Sequence, residues 1–318
     1  MEWTGDVSAG DWLRGRLDDP PRGTVHDVAP RGFEAYVRIL HPVHLERIPN
    51  ERMPSFDAVA AMTDAGRESL FSRIEERPLT WREAAGIFGT EFSPLADWEH
   101  LTRSTETPGV LVTPAGDWVN PPLGGELDPA QVAEIAAVLA SHTAAPDDGV
   151  VALWDGHPGL LGGMRVRSSR TVYQAGDPSD ANLHRHNEML GRSAKDLWSA
   201  VTGKRTWHDG ILSREISAGP RLELPGRTHV LFRGGVSELA DLGWTDAAPW
   251  RGEDADDILS PSLIWPDDRA WVLVSDPDLD STLVGGSAAL AAALVARAGL
   301  DAVEIPADAV LDGHGVTR

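Results

Sequence analysis

The sequence contains no cysteine in 318 residues. Disulfide bonds, thiolate zinc sites, iron–sulfur clusters and cysteine nucleophiles are therefore all excluded. Any metal ion has to bind through His, Asp or Glu side chains. The absence of cysteine is also typical of a protein from a reducing compartment, where structural disulfides are rare.

Positive charge and long apolar runs are also scarce. Lys and Arg together number 28 against 49 Asp and Glu, so the formal net charge is -21. This charge repels phosphate backbones and anionic lipid head groups. The most apolar stretch, residues 288–298, is much shorter than the roughly 20 residues that span a bilayer, and residues 1–19 lack the apolar core of a signal peptide. We therefore expect a cytoplasmic protein that binds neither nucleic acid nor membranes.

Most of the aromatic residues are tryptophans, with 12 Trp beside two Tyr and six Phe. An indole ring buries a large area and needs only one polar partner, so most of these rings are expected in the core and at its rim. An aromatic-lined ligand groove is the alternative. Only the spatial grouping of the rings distinguishes the two.

Three hairpins are predicted from alternating apolar residues with turn residues between them. The first joins residues 24–29 to 33–40, the second spans 221–232, and the third spans 263–275. Helices are predicted between these hairpins. Because hairpins alternate with helices, the sequence predicts an α+β fold with largely antiparallel sheets. A polar break at residues 146–149 predicts two closely packed subdomains, residues 1–146 and 147–318.

Cap residues locate several of the helices. Thr80 and Glu83 form a capping box for a helix over residues 81–88, and Asp128 precedes a proline at the start of another helix. Ser93 is expected to cap a helix that holds Trp98. Ser287 follows two glycines as in a hydrolase nucleophile elbow, but loop residues separate it from the preceding predicted strand, so a helix cap explains it better.

Three alternating aspartates, Asp276, Asp278 and Asp280, follow an apolar strand. The string that begins at Asp278 resembles the first motif of haloacid dehalogenase-like phosphatases, but too few residues follow it to supply the other groups of phosphoryl transfer. The aspartates also begin like a calcium loop, although serines stand where an EF-hand needs glycine and glutamate. We predict a ligand or partner site here, or a divalent-cation site unlike an EF-hand, with a solvated acidic turn as the alternative.

The candidate metal ligands are His184, His186, His157 and Asp155, with Asp180 as a further acidic neighbour. Two imidazoles two residues apart point to one side only when the backbone is extended, and a third ligand must come from elsewhere. Solvated loop histidines are the alternative. No organic cofactor is expected, because the glycine motifs of nucleotide-binding folds are missing.

A basic cluster lies near these histidines in the sequence. Arg165, Arg167 and Arg170 can bind a carboxylate or phosphate through paired guanidinium donors. Neutralisation of neighbouring acidic residues such as Asp177 and Asp180 is the alternative.

Segments of the second half resemble a set of actinobacterial proteins with no established activity. The segments are Leu-Trp-Asp-Gly at 153–156, Leu-Pro-Gly-Arg at 224–227, Trp-Pro-Asp-Asp-Arg-Ala-Trp at 265–271 and Val-Gly-Gly-Ser at 284–287. The resemblance implies a shared fold and a cytoplasmic location, and it assigns no catalytic residue. The layout is also similar to that of small α+β immunity and binding proteins of bacterial conflict systems.

The sequence favours a non-catalytic, acidic, tryptophan-rich protein that binds a basic protein partner. A metal-dependent hydrolase built on His184 and His186, with His157 and Asp155 or Asp180, is the alternative. A structural protein that assembles from identical copies is a third possibility.

Overall fold

A computed structural model describes residues 1–104, 109–165, 206–252 and 258–311 of the chain. The strands are β1 (Glu2–Thr4), β2 (Ala35–Leu40), β3 (Val43–Arg47), β4 (Glu75–Leu79), β5 (Leu111–Val112), β6 (Trp118–Asn120), β7 (Gly149–Trp154), β8 (Gly163–Arg165), β9 (Thr206–His208), β10 (Leu222–Leu224), β11 (Arg227–Arg233), β12 (Leu263–Pro266), β13 (Val272–Ser275), β14 (Ser281–Gly286) and β15 (Ala302–Ile305). The α-helices are α1 (Asp11–Arg14), α2 (Phe56–Ala60), α3 (Asp64–Phe71), α4 (Trp81–Phe88), α5 (Trp98–Thr102), α6 (Pro129–Ala140), α7 (Arg214–Ala218), α8 (Trp244–Ala247) and α9 (Ala288–Val295). Short 3-10 helices cover Val7–Gly10, Val25–Asp27 and Val236–Leu239.

The larger sheet has nine strands in the order β1-β11-β7-β12-β13-β14-β2-β15, and β10 also pairs with β11. Every described pair in it is antiparallel. The predicted α+β class with antiparallel sheets is therefore confirmed. Within the described residues, no helix is both long and apolar enough to cross a membrane.

The larger sheet belongs to a compact unit formed by residues 1–155 and 220–318, whereas residues 156–219 form a second unit. Residue 146, where the sequence predicts a boundary, lies inside the first unit, between α6 and β7. Strands β1 and β2 precede this residue and pair with strands that follow it. The first unit is therefore built from both halves of the sequence.

The two faces of the larger sheet are covered by different parts of the chain. Successive side chains of a strand point to opposite faces. Ala152 and Trp265 belong to a core cluster with Leu13 from the N-terminal segment. On the other face, Ile264 and Leu273 line a small apolar cavity together with residues of α6. Helix α9 also contacts α6, β2 and β15, so helices cover this second face.

A second sheet in the same unit has the order β4-β3-β6-β5. Leu45 and Val119 of this sheet form a core cluster with Trp81 of α4 and Trp98 of α5. Trp118 belongs to a separate cluster with residues of α2, α3 and the segments that flank them. Helices therefore cover this sheet as well.

The predicted starts of α4, α6 and α9 are confirmed, but the Asp128 side chain makes no cap hydrogen bond at α6. The capping box between Thr80 and Glu83 is present, and α4 ends at Gly89, whose φ of 68° is left-handed. Helix α6 begins with the predicted proline. The Ser287 side chain accepts a hydrogen bond from the backbone N–H of Leu290, as a cap does. The helix that follows Ser287 ends at Val295.

Three local predictions were wrong. The residues before Ser287, predicted as a loop, form β14, so Ser287 directly follows a strand, and its role as a helix cap rests on its hydrogen bond with Leu290. Residues 25–27 form a 3-10 turn because the Thr24 hydroxyl accepts from the N–H of His26, and β2 pairs instead with β14 and β15. The helix that contains Trp98 begins after Asp97 rather than after Ser93, because the Asp97 carboxylate accepts from the N–H of His100. The predicted hairpins that became β10–β11 and β12–β13 are confirmed.

The second unit contains an antiparallel pair, β8 and β9, and the short helix α7. Leu160 and Leu212 are buried there, and the Leu212 N–H donates to the Leu160 carbonyl. The Trp207 indole N–H donates to Asp209 at 2.9 Å, and the Arg214 guanidinium lies over the same ring. These contacts order the described part of this unit.

Candidate functional site

A cleft of about 230 Å³ lies at one end of the larger sheet. Three segments form its walls. They are the 25–27 turn with the residues just before it, the turn between β10 and β11, and the loop that follows β13. The lining residues are Pro21, Gly23, Thr24, Asp27, Val28, Pro225, Gly226, Arg227, Asp276, Asp278, Leu279 and Leu311. Apolar walls and charged side chains therefore meet in one cavity.

Arg227 is the cation of this cleft. Its Nη2 atom donates to Asp276 Oδ1 at 3.1 Å and to Asp278 Oδ2. Its guanidinium carbon lies 5.3 Å from the centre of the Trp154 ring, within range of a cation–π contact. Burial alone would lower the pKa of Arg227, but the charges and hydrogen bonds of the two aspartates outweigh burial and raise it.

The carboxylates of the cleft are positioned by backbone N–H groups. Asp276 Oδ1 accepts from the N–H of Asp278 at 2.9 Å, which closes the turn after β13. Asp27 accepts from the N–H groups of Arg22 and Gly23, the latter at 2.6 Å. Three carboxylates and one guanidinium line the cleft, so its lining has a net negative formal charge.

A smaller cavity of about 30 Å³ shares lining residues with the cleft. Arg227 and Asp276 line both cavities. The smaller cavity is also lined by the buried residues His229, Ser262 and Ser275. The Ser262 hydroxyl accepts from the Trp154 N–H at 2.9 Å. About 30 Å³ is enough for one water molecule.

The three alternating aspartates do not converge on one point. Asp276 and Asp278 face Arg227 in the cleft, whereas Asp280 binds the buried guanidinium of Arg38 at 2.7 Å. In the part of the chain that the structure describes, no group of three His, Asp or Glu side chains could hold a metal ion. Of the three, only Asp276 and Asp278 therefore belong to the candidate site.

Arg38 lies at the centre of a buried polar group on β2. Its Nε donates to the Ser281 hydroxyl at 2.8 Å, and its Nη1 donates to the carbonyls of Pro94 and Ala96. The second carboxylate oxygen of Asp280 accepts from the N–H of Trp98 at 3.0 Å. This ion pair therefore holds the segment before α5 against the larger sheet.

His41 forms a second buried polar group. Its Nδ1 donates to the Leu123 carbonyl at 2.6 Å, and its Nε2 lies 2.9 Å from the Thr282 hydroxyl. Burial lowers the pKa of His41 to about 4, so the ring is neutral near pH 7 and Nε2 accepts from Thr282. The Ser275 hydroxyl is 2.8 Å from Thr282 and 3.1 Å from the Gly125 carbonyl. Because these groups satisfy one another in the core, their role is structural.

The remaining predicted site residues are placed as follows. Asp155 Oδ1 accepts from the Thr228 hydroxyl at 2.6 Å, and its other oxygen lies 3.7 Å from Arg221 Nε. His157 belongs to the second unit, and burial lowers its pKa. Arg165 ends β8. Outside the described residues lie His184, His186, Arg167, Arg170, Asp177 and Asp180. The metal site predicted from the two histidines therefore stays a prediction.

The tryptophans lie mainly in the core. Seven of the eleven described rings are buried, and none of the eleven is fully exposed. The buried rings are Trp81, Trp98, Trp118, Trp244, Trp250, Trp265 and Trp271. The expected core role is therefore confirmed for these seven, and the other four described rings are half-buried.

Two cleft residues, Arg227 and Asp27, are missing from the sequence predictions of the site. The signal for Arg227 is its position after the Pro225-Gly226 turn, which exposes the start of β11 at the sheet end. For Asp27 the signal is weaker, since an aspartate near Pro and Gly residues is also typical of an ordinary loop. Only the folded chain brings these two residues beside Asp276.

Comparisons of this chain with protein-family models, with curated proteins and with solved structures found no match. Two of the segments that resemble the actinobacterial proteins, at 153–156 and 224–227, supply Trp154 and Arg227 to the cleft region. The function of this chain is therefore inferred from its own side chains.

Proposed function

We propose that this chain is a non-catalytic binding protein whose acidic cleft receives a lysine or arginine side chain of a basic protein partner. The observation that carries this proposal is the lining of the cleft. Asp27, Asp276 and Asp278 supply carboxylates beside apolar walls that include Val28 and Leu279.

The lining matches the chemistry of a long basic side chain. Lysine and arginine have an aliphatic stem and a charged head, and they bury the stem on apolar surface while the head stays with polar partners. In the cleft, the apolar walls suit the stem and the carboxylates suit the head. Asp276 and Asp278 already bind the guanidinium of Arg227. Because three carboxylates line the cleft and only one guanidinium does, negative charge remains for a second cation.

The charge of the whole chain supports the same kind of partner. A formal net charge of -21 attracts a basic protein over several ångströms and raises the rate of encounter at low salt. The cleft then provides a specific place for one side chain. Long-range attraction and local recognition therefore favour the same partner chemistry.

Substitution of Asp278 by asparagine tests this proposal. Asp278 is 69% exposed, so its loss should leave the fold intact. We expect a terminally blocked tetralysine peptide to bind the wild type at low salt and to bind Asp278→Asn about 5–10-fold more weakly, because one carboxylate partner is lost. Calorimetric titration measures both dissociation constants, and added salt should weaken both by screening.

Glu68→Gln is the matched control, since it removes one exposed negative charge from α3, away from the cleft lining. This variant should bind the peptide as the wild type does. Equal weakening by the two substitutions would mean that the peptide responds only to net charge, and the cleft proposal would then be wrong. Absence of peptide binding to the wild type at low salt would also contradict it.

A further inference from the structure

Two arginines contact the ring of one tryptophan. This tryptophan lies on the face of the larger sheet that the N-terminal segment covers. The guanidinium carbons of Arg16 and Arg269 each lie 5.4 Å from the centre of the Trp12 ring. Trp12 is half-buried, and it packs edge-on against Phe33 and Trp265. We refer to Arg16, Arg269 and Trp12 as the Trp12 patch. Its indole is fixed by the core, and both of its arginines are exposed.

The charges of the patch are not neutralised by the described chain. Neither Arg16 nor Arg269 forms an ion pair with a carboxylate of the described residues, although acidic residues greatly outnumber basic ones. Nearby arginines are paired instead. These pairs are Arg14 with Asp11, Arg31 with Asp18, and Arg233 with Asp267. The Arg16 guanidinium donates to the neutral Arg31 carbonyl at 3.5 Å. An anion bound against either guanidinium would therefore meet a positive charge that no carboxylate of the described residues pairs with.

The backbone at Arg269 is left-handed, as it also is at Arg103. Arg269 has a φ of 56° at the end of the turn between β12 and β13, where its N–H donates to the Pro266 carbonyl at 2.9 Å. A residue with a Cβ is strained in this left-handed conformation, and glycine is favoured there.

A polar groove provides room for a ligand beside Arg269. It has a volume of about 340 Å³ and is lined by Arg269, Arg233 and Thr4 among others, whereas Arg16 and Trp12 lie outside its lining. Its two carboxylates already have partners, since Asp6 accepts from the Ser8 N–H at 3.0 Å and Asp267 binds Arg233 through two hydrogen bonds. The guanidinium of Arg269 is therefore available to a molecule in the groove.

From these observations we propose that the Trp12 patch is a binding site for an oxyanion, either inorganic phosphate or a phosphate monoester. Guanidinium groups present paired N–H donors that match phosphate oxygens. The indole holds both guanidinium groups by cation–π contact, which limits the freedom that they lose when an anion binds. The patch lies outside the lining of the acidic cleft, so this proposal does not depend on the proposed function.

Arg269→Gly is the decisive variant, because glycine suits the left-handed backbone while it removes the guanidinium. We expect the wild type to bind inorganic phosphate at low ionic strength and the variant to bind it about tenfold more weakly, with an unchanged or higher melting temperature. Arg16→Gln should also weaken binding. Calorimetric titration with inorganic phosphate measures the affinities, and a parallel titration with O-phosphoserine tests whether an ester binds more tightly than the free ion.

Arg103→Gly is the matched control. Arg103 has a φ of 54°, so this change removes one arginine from the same backbone conformation at a distant position, the end of α5. Phosphate binding by this variant should equal that of the wild type. The proposal is overturned if Arg103→Gly and Arg269→Gly weaken binding equally, or if the wild type binds neither phosphate probe.

Discussion

Replacement of Arg38 by methionine is expected to lower the free energy of unfolding by about 3–5 kcal/mol, because it leaves the Asp280 carboxylate without its cation. The Arg38 side chain is 5% exposed and that of Asp280 is 17% exposed, so water cannot easily replace the lost partner. Urea denaturation followed by far-ultraviolet circular dichroism measures the change.

A double variant and an exposed pair provide the controls for this prediction. Asp280→Asn combined with Arg38→Met should cost less than the sum of the two single changes, since no unpaired charge then remains in the interior. Arg233→Met breaks a doubly hydrogen-bonded ion pair with Asp267. Both side chains of this pair are more than 40% exposed, so the substitution should lower the free energy of unfolding by less than about 1 kcal/mol. If Arg38→Met and Arg233→Met lower the free energy of unfolding equally, burial does not strengthen the contribution of the Arg38 pair to stability.

Acid is expected to destabilise the protein through His41. The folded state holds the pKa of His41 at about 4, below the ordinary value of 6.5, because burial disfavours the charged ring. Below pH 6.5 the unfolded chain therefore binds a proton that the folded chain does not, and stability falls until the pH reaches the folded pKa. Between pH 7.5 and pH 5 this one group should remove about 2 kcal/mol from the free energy of unfolding.

His41→Asn tests the origin of this pH dependence. Asparagine does not titrate. Between pH 7.5 and pH 5, the free energy of unfolding of the variant should therefore fall by about 2 kcal/mol less than that of the wild type, whatever the stability of the variant at pH 7.5. Ile39→Val is a control because it trims the core of the same region without a titratable group, at a cost of about 1 kcal/mol. It should keep the wild-type pH dependence. An unchanged pH dependence in His41→Asn would contradict the assignment.

Local chemistry predicts helix starts and tight turns in this chain far better than it predicts strand partners. The box formed by Thr80 and Glu83 depends only on residues three apart, and the fold retains it. The alternation in residues 33–40 correctly indicated a strand, but its partners β14 and β15 lie near the other end of the chain. Every residue of β2 is buried, the polar Arg38 included, because chain segments cover both faces of the sheet.

The same limit applies to the candidate site. Asp276 and Asp278 could be recognised as an acidic pair because they are neighbours in the sequence. Arg227 is 49 residues away from Asp276, and no local pattern shows that they form an ion pair. Asp27 comes from the opposite end of the chain. The charged residues of the cleft can therefore be grouped only when the order of the strands in the sheet is known.

The position of β2 has a consequence for how the chain is made. Arg38 of β2 and Ser281 of β14 are bonded across 243 residues of sequence. During synthesis, the apolar β2 leaves the ribosome long before either neighbouring strand exists, and it has to remain unpaired until β14 and β15 emerge. Pairing at such separation is slow and exposes apolar surface to aggregation. We expect the nascent chain to depend on chaperones until β15 has been translated, and fragments that end before residue 280 to be insoluble.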